Sequence, residues 1–284
     1  MAILVDEQSR IIIQGITGRE GSYYARQMLL DGTRVLGGVT PGKGGEWIES
    51  KPVFDTVKAA LNATEANVSL VCVPAAYATD AIYEAVDAGI PLVICITNGV
   101  PIQDVMKVRE YARSSKTCLL GPNCAGVISP GLANVGMIPA AVASPGSVGI
   151  VSKSGTLLYA VMHEFTRLGL GQSTCVSIGS DPIVGTSFRD VLELFEHDVN
   201  TEKIVLLGEI GGHAEVDAAE YIKRMTKPVV SYITGSSAPE NQVMGHRGAI
   251  IENGRGDASE KIAAMLKAGA KVADSLEEVP FLFP

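Results

Sequence analysis

Short, mostly apolar runs alternate with longer helix-periodic stretches in this sequence, in two successive series. In the first, strand-like runs fall at 10–14, 34–39, 69–73, 92–96 and 117–120. Helical spacing passes through Tyr24, Met28 and Leu29 and continues over 76–88 and 104–113. The pattern restarts at 148–152, with further strands at 174–178, 203–207 and 228–233 and helices at 156–168, 187–195, 215–225 and 258–268. A strand that is apolar on both of its faces is buried on both, and alternation with helices buries it in a mostly parallel sheet between two helical layers. The predicted fold is therefore α/β with two doubly wound units. The division is placed near Pro145, giving residues 1–145 and 146–284. At 284 residues and 46% hydrophobic content, each unit has enough apolar material for its own core.

One stretch looks like a membrane segment and is not one. No charged residue occurs between Lys116 and Lys153. The interval holds Pro122, Pro130, Pro139 and Pro145 and six glycines, which break any helix long enough to span a bilayer. It is read as a buried, turn-rich crossover between the units. The net charge of −8 without a Lys/Arg cluster argues against nucleic acid as a partner. Five scattered cysteines form no C-x-x-C pair, which fits a reducing, cytoplasmic compartment. The first ten residues show no basic, apolar export signal.

Four motifs carry chemistry. Gly15-Ile-Thr17-Gly18-Arg19-Glu20-Gly21 follows a strand and opens a helix, so a phosphate can approach backbone N–H groups closely there. A nicotinamide site normally has a carboxylate about 20 residues on; the tip of the second strand carries Lys43 instead, which favours a phosphorylated ribose. Gly37 to Lys43 imitates part of a P-loop, but Gly44 stands where Ser or Thr is needed for magnesium. In the second series, Ser154 caps a helix beginning Gly155-Thr156, a second anion site. Glu209 ends an apolar strand at the rim where α/β sheets hold ligands. His246, between Gly245 and Arg247-Gly248, offers an imidazole nitrogen as a nucleophile, and Glu209 can orient it. Of the other histidines, His163 and His197 fall in helical stretches, and His213 at a loop or helix start.

Over essentially the whole chain, the stretches QGITGREG, GGVTPGKGG, GPNCAGVISPG, VGIVSKSGTL, STCVSIGSDP, LLGEIGG and MGHRGAII resemble the alpha subunits of succinyl-CoA synthetases. The resemblance implies an N-terminal Rossmann-like CoA-binding domain followed by a flavodoxin-like ligase domain carrying a phosphohistidine. It assigns CoA binding to Thr17, Gly18, Arg19, Glu20, Lys43, Ile96, Thr97 and Asn98. Phosphoryl transfer falls to His246 with Glu209, and binding of the histidyl phosphate to Ser154, Gly155 and Thr156. Tyr159, Asn123 and Ala125 fall beside the acid substrate. It further implies a nucleotide-grasping beta subunit, in an αβ or α2β2 assembly, that holds the nucleoside triphosphate and magnesium. No metal site is expected in this chain. Some positions depart from the family pattern: Asn98 for Glu, Ala125 for Pro, Ser180 for Gly and Arg247 for Ala. Succinate is the first expectation for the acid, with malate, sulfoacetate or another small dianionic acid as the alternative. An NADP-binding oxidoreductase and a non-catalytic CoA-binding protein are the readings from other classes.

Overall fold

The computed structural model describes residues 2–252 and 254–283. Its first half contains strands β1 (Ile11–Gln14), β2 (Val35–Val39), β3 (Trp47–Ile48), β4 (Lys51–Phe54), β5 (Val68–Val71), β6 (Leu92–Cys95) and β7 (Cys118–Leu120). Between them lie helices α1 (Arg19–Leu30), α2 (Val57–Thr64), α3 (Ala75–Asp87) and α4 (Ile102–Ser114). The strands order as β3-β4-β2-β1-β5-β6-β7, parallel from β4 to β7 with β3 antiparallel at the edge. This is a Rossmann-like arrangement whose order reverses between β1 and β5, the crevice where such sheets take ligands. All four residues of β1 are buried, as an apolar strand covered on both faces requires. Helix α1 buries Gly21, Ala25 and Met28, a stripe at i, i+4 and i+7. A Cβ on Gly21 would lie 2.2 Å from the Gly15 carbonyl oxygen, so glycine there lets the helix rest directly on the phosphate-loop backbone.

The second half contains β8 (Gly126–Ser129), β9 (Ala133–Gly136), β10 (Pro145–Ser152), β11 (Gln172–Ser177), β12 (Lys203–Glu209), β13 (Val229–Thr234) and β14 (Lys271–Val272). Its helices are α5 (Gly155–Arg167), α6 (Phe188–His197), α7 (Ala214–Ile222) and α8 (Ala258–Lys267). The order is β14-β13-β12-β10-β11-β8-β9. The five parallel strands have flavodoxin-like order, with the switch point between β10 and β12. Ser154 follows the first of these strands, and Glu209 ends the second.

The chain enters the second sheet earlier than the division at residue 145 implies. Strand β8 pairs antiparallel with β11, and β9 with β8, so by sheet membership the crossover falls between Leu120 and Gly126. Prolines and glycines hide this hairpin from a periodicity reading. The hairpin also joins the halves. Ser129 Oγ donates to the Val5 carbonyl at 2.8 Å, Thr33 Oγ1 to the Asn134 carbonyl at 2.9 Å, and Asn134 Nδ2 to Asp31 at 2.7 Å. One continuous apolar core includes Met28 and Leu70 of the first sheet's layers together with Val127, Val176 and Leu206 of the second. Among the described residues no helix is long and apolar enough to cross a membrane.

Candidate functional site

The loop after β13 returns over the sheet edge and presents His246. It is a tight turn: the Met244 N–H donates to the Ala249 carbonyl at 2.8 Å and the Ala249 N–H to the His246 carbonyl at 3.0 Å. Gly245 has φ +81 with open space around it, a backbone conformation that glycine adopts without strain. At the foot of the loop Gly211, with φ +88, packs so closely that a Cβ would lie 1.9 Å from the Gly248 carbonyl oxygen. That approach brings the loop onto the end of β12. There Glu209 Oε2 lies 2.6 Å from His246 Nδ1. Glu209 is 3% exposed, and its other oxygen has no hydrogen-bond partner among the described residues. The hydrogen bond to this carboxylate raises the His246 pKa above its ordinary value, with burial opposing. With Nδ1 engaged, Nε2 is the nitrogen left to face the cavity.

A buried ion pair holds Glu209 from behind. Lys261 of α8 is fully buried; its ammonium donates to the Glu209 and Gly211 carbonyls, each at 2.6 Å, and to Glu215 of α7. Glu215, also fully buried, accepts the Glu209 N–H at 3.2 Å and lies 3.9 Å from Lys153 Nζ. Sequence reading missed Lys153, Glu215 and Lys261. A signal existed: Glu215 shares the buried stripe of α7 with Ala218 and Ile222, and Lys261 that of α8 with Ala258 and Met265. Opposite charges within two apolar stripes point to a buried pair.

Helix α5 begins opposite His246. Ser154 is its N-cap, accepting the Leu157 N–H at 3.4 Å, and Gly155 and Thr156 face a cavity of about 260 Å³. His246, Arg247, Lys153, Tyr159, Ala125 and Ser180 share that cavity, and Asn98 and Asn123 complete the side toward the first sheet. The uncapped N–H groups and dipole of a helix start suit an anion there. Asn123 holds a left-handed backbone, φ +54, and its side-chain amide donates to Ser180 Oγ at 3.0 Å and Asp181 Oδ1 at 2.9 Å. The Ala125 N–H donates to Ser177 Oγ at 3.0 Å, an interaction a proline at that position lacks. The Tyr159 hydroxyl donates to the Met137 carbonyl at 3.3 Å, and burial pushes its pKa up to about 12.

A larger cleft of about 1190 Å³ lies beside it. It is lined by Gly18, Arg19 and Glu20 at the uncapped start of α1 and by Ile96, Thr97 and Asn98 after β6. Asn98, Asn123 and Met137 line both cavities, so the two adjoin. Thr17 lies in an adjoining pocket of about 670 Å³ with Val39, Thr40 and Pro41, and its hydroxyl donates to Thr40 at 3.1 Å. Lys43 lines none of these cavities; its ammonium pairs with Glu46 at 2.9 Å on the exposed loop beyond Pro41. The five cysteines are unpaired, and burial raises every thiol, Cys95 to about 12, which leaves the thiols beside the cleft un-ionised. His163 and His197 lie exposed on helices, and His213 caps α7.

Family models match in the same two blocks: a CoA binding domain over residues 6–99 and a CoA-ligase over residues 151–271. The chain is 53% identical over 279 residues to subunit alpha 1 of the ADP-forming succinate–CoA ligase of Archaeoglobus fulgidus, covering 98% of this chain and 96% of that one. It is 52% identical over 278 residues to the alpha subunit of the same enzyme from Aquifex aeolicus, covering 97% and 91%. Among solved structures, ATP citrate lyase from Methanothrix soehngenii, in complex with citrate and coenzyme A, superposes with a TM-score of 0.89 at 26% identity over 98% of this chain. This chain spans about half of that one, 49%. An acetyl-coenzyme A synthetase from Ca. Korarchaeum cryptofilum shares the fold with a TM-score of 0.75 at 22% identity, over 96% of this chain and 59% of that one.

Proposed function

The chain belongs to the alpha-subunit family of ADP-forming succinate–CoA ligases, and from that membership we propose that His246 carries a phosphoryl group between a nucleotide and an acid. The enzyme is an NDP-forming acid–CoA ligase with CoA as a substrate and succinate as the first acid to consider. A partner beta subunit completes it; we assign that partner the nucleotide and magnesium, because this chain's phosphate loops lie on its CoA side and beside His246. Five unpaired thiols support a reducing, cytoplasmic setting.

The chemistry follows from the placement of the side chains. Glu209 holds the Nδ1 proton of His246, so the Nε2 lone pair attacks the terminal phosphorus and the nucleoside diphosphate leaves. The phosphoryl group on Nε2 then sits against the start of α5, where Gly155 and Thr156 meet the cavity. A carboxylate oxygen of the acid attacks the phosphorus, releasing the imidazole and forming an acyl phosphate. A carboxylate oxygen alone is a poor leaving group; phosphate is a good one, and the CoA thiol displaces it to give the thioester and inorganic phosphate. The observation that carries this reading is adjacency: the cleft at Gly18–Glu20 and Ile96–Asn98 and the cavity at His246 share Asn98, Asn123 and Met137 as lining residues. A thiol on a long flexible arm anchored in the first can reach the second.

The test is turnover. The chain co-purified with its beta subunit, supplied with ATP, magnesium, CoA and succinate or another small diacid, is expected to form acyl-CoA, ADP and phosphate in equal amounts, and the chain alone none. Turnover by the isolated chain, or none by the complex with any small acid, contradicts the reading.

A further inference from the structure

We propose that Lys153 is a ligand of the phosphoryl group carried by His246: its buried ammonium, which lacks a hydrogen-bond partner, donates to the phosphate oxygens. The inference rests on the function proposed above and concerns how that site holds its charge.

An unpartnered buried cation carries it. Lys153 is 7% exposed, and its ammonium makes no hydrogen bond among the described residues. The nearest carboxylate oxygen, Glu215 Oε1, is 3.9 Å away, beyond hydrogen-bond reach. Glu215 is already served: its Oε2 accepts from Lys261, and its Oε1 accepts the Glu209 N–H at 3.2 Å. Two ammoniums thus face one buried carboxylate, and Lys153 is the one held at a distance. A buried charge without hydrogen bonds is costly, and such a group marks a site that an ion or a reacting group completes.

Position supplies the second half. Lys153 links the end of β10 to the N-cap of α5. Ser152 Oγ accepts the Ser154 N–H at 3.0 Å and donates to the Ser154 carbonyl at 2.8 Å, a turn that fixes the residue between them. The Lys153 N–H donates to the Leu207 carbonyl of β12 at 3.4 Å. From there the side chain lines the same cavity as His246, Gly155 and Thr156. The imidazole already registers the charge: the Glu209 hydrogen bond raises the His246 pKa, burial opposes it, and Lys153 lowers it further. A phosphoryl group brings about two negative charges and three acceptor oxygens. The start of α5 offers N–H donors but only about half a unit of positive charge. Lys153 adds a whole charge at the same wall, already stripped of water. Arg247 lines the cavity too, but it is exposed, so water serves its guanidinium without a ligand.

The test uses the complex with its beta subunit and the variants Lys153→Met and Lys153→Arg. Two quantities are read: the fraction of His246 labelled at equilibrium with a fixed ratio of γ-labelled ATP to ADP, and the Kd for CoA by calorimetry. Labelling exchanges a P–O bond of ATP for a P–N bond on His246, so its equilibrium constant reports how well the site holds the phosphoryl group. For Lys153→Met the expectation is an equilibrium constant about 10- to 100-fold lower, the size of a lost charge-assisted contact, with the Kd for CoA unchanged. Lys153→Arg is expected to recover part of the loss. Label in the parent that Lys153→Met keeps at the same level overturns this inference alone. CoA binding that falls in step with the label also overturns it, since Lys153 would then act through the fold. An arginine variant no better than the methionine variant overturns the role given to the charge. A parent complex that takes no label removes the proposed function and this inference with it.

Discussion

Replacing Lys261 with methionine tests whether the buried pair holds the His246 site in place. The substitution keeps the bulk of the stem and removes the donor to the Glu209 and Gly211 carbonyls and to Glu215. Burial draws the Lys261 pKa down from the ordinary lysine range while Glu215 pulls it up, so the ammonium depends on its partner. In the variant, the fully buried Glu215 carboxylate keeps the Glu209 N–H at 3.2 Å and Lys153 at 3.9 Å as its nearest compensation. Orphaning one member of a buried pair costs about 3–5 kcal/mol. Against a typical stability of about 5–15 kcal/mol, that loss is severe. Much of the penalty belongs to the stranded charge, so Glu215→Gln combined with Lys261→Met is expected to be at least about 2 kcal/mol more stable than Lys261→Met alone. Urea unfolding of the purified chain, followed by circular dichroism at pH 7, measures both. A single variant as stable as the parent refutes the argument. A double variant no better than the single assigns the cost to the two lost carbonyl contacts and refutes the role given to Glu215.

Glu209→Gln is expected to slow labelling of His246 and to move its pH dependence. The hydrogen bond to Glu209 raises the His246 pKa, and the neutral imidazole is the nucleophile, so labelling by the parent enzyme rises with pH through an inflection above the ordinary value. Without the carboxylate the inflection moves to lower pH; a pH–rate profile of labelling checks this. By the same sign, the pair's contribution to stability is complete below about pH 6.5 and lost as pH rises through the raised folded value, which unfolding midpoints at pH 6 and 8 measure. Lys43→Ala is expected to weaken CoA binding about tenfold by calorimetry while leaving labelling of His246 unchanged, since its ammonium can leave Glu46 for a ribose phosphate. Equal loss of both would mean that Lys43 acts through the fold.

Much of the architecture was legible because its signals are local. Apolar runs such as Ile11–Gln14 and Leu92–Cys95 are uncharged from end to end, which only burial on both faces explains. Ser154 as an N-cap and Glu209 at a strand end are likewise marked by their immediate neighbours. What escaped was non-local or masked. The β8–β9 hairpin is hidden among prolines and glycines and takes its place by pairing with β11, which follows it by more than forty residues. Strand β3 is only two residues long, and β4 begins with Lys51 and Pro52, a charge and a proline that break an apolar run. The contacts of Lys261 join α8 to α7 and to the end of β12, a meeting decided by tertiary packing although each helix shows a misplaced charge. The exposed partnering of Lys43 with Glu46 is also invisible in a motif that specifies residue types and spacing alone.

The phosphoryl group is assigned to His246, whose Nδ1 lies 2.6 Å from Glu209. The direct measurement is labelling of the assembled complex with γ-labelled ATP, followed by acid and base treatment and by mapping of the modified residue. An acid-labile, base-stable phosphate on His246 is expected. In His246→Asn, label and turnover are expected to disappear while CoA still binds. Label that persists in that variant, on His213 or any other residue, contradicts the assignment of His246 as the phosphoryl carrier.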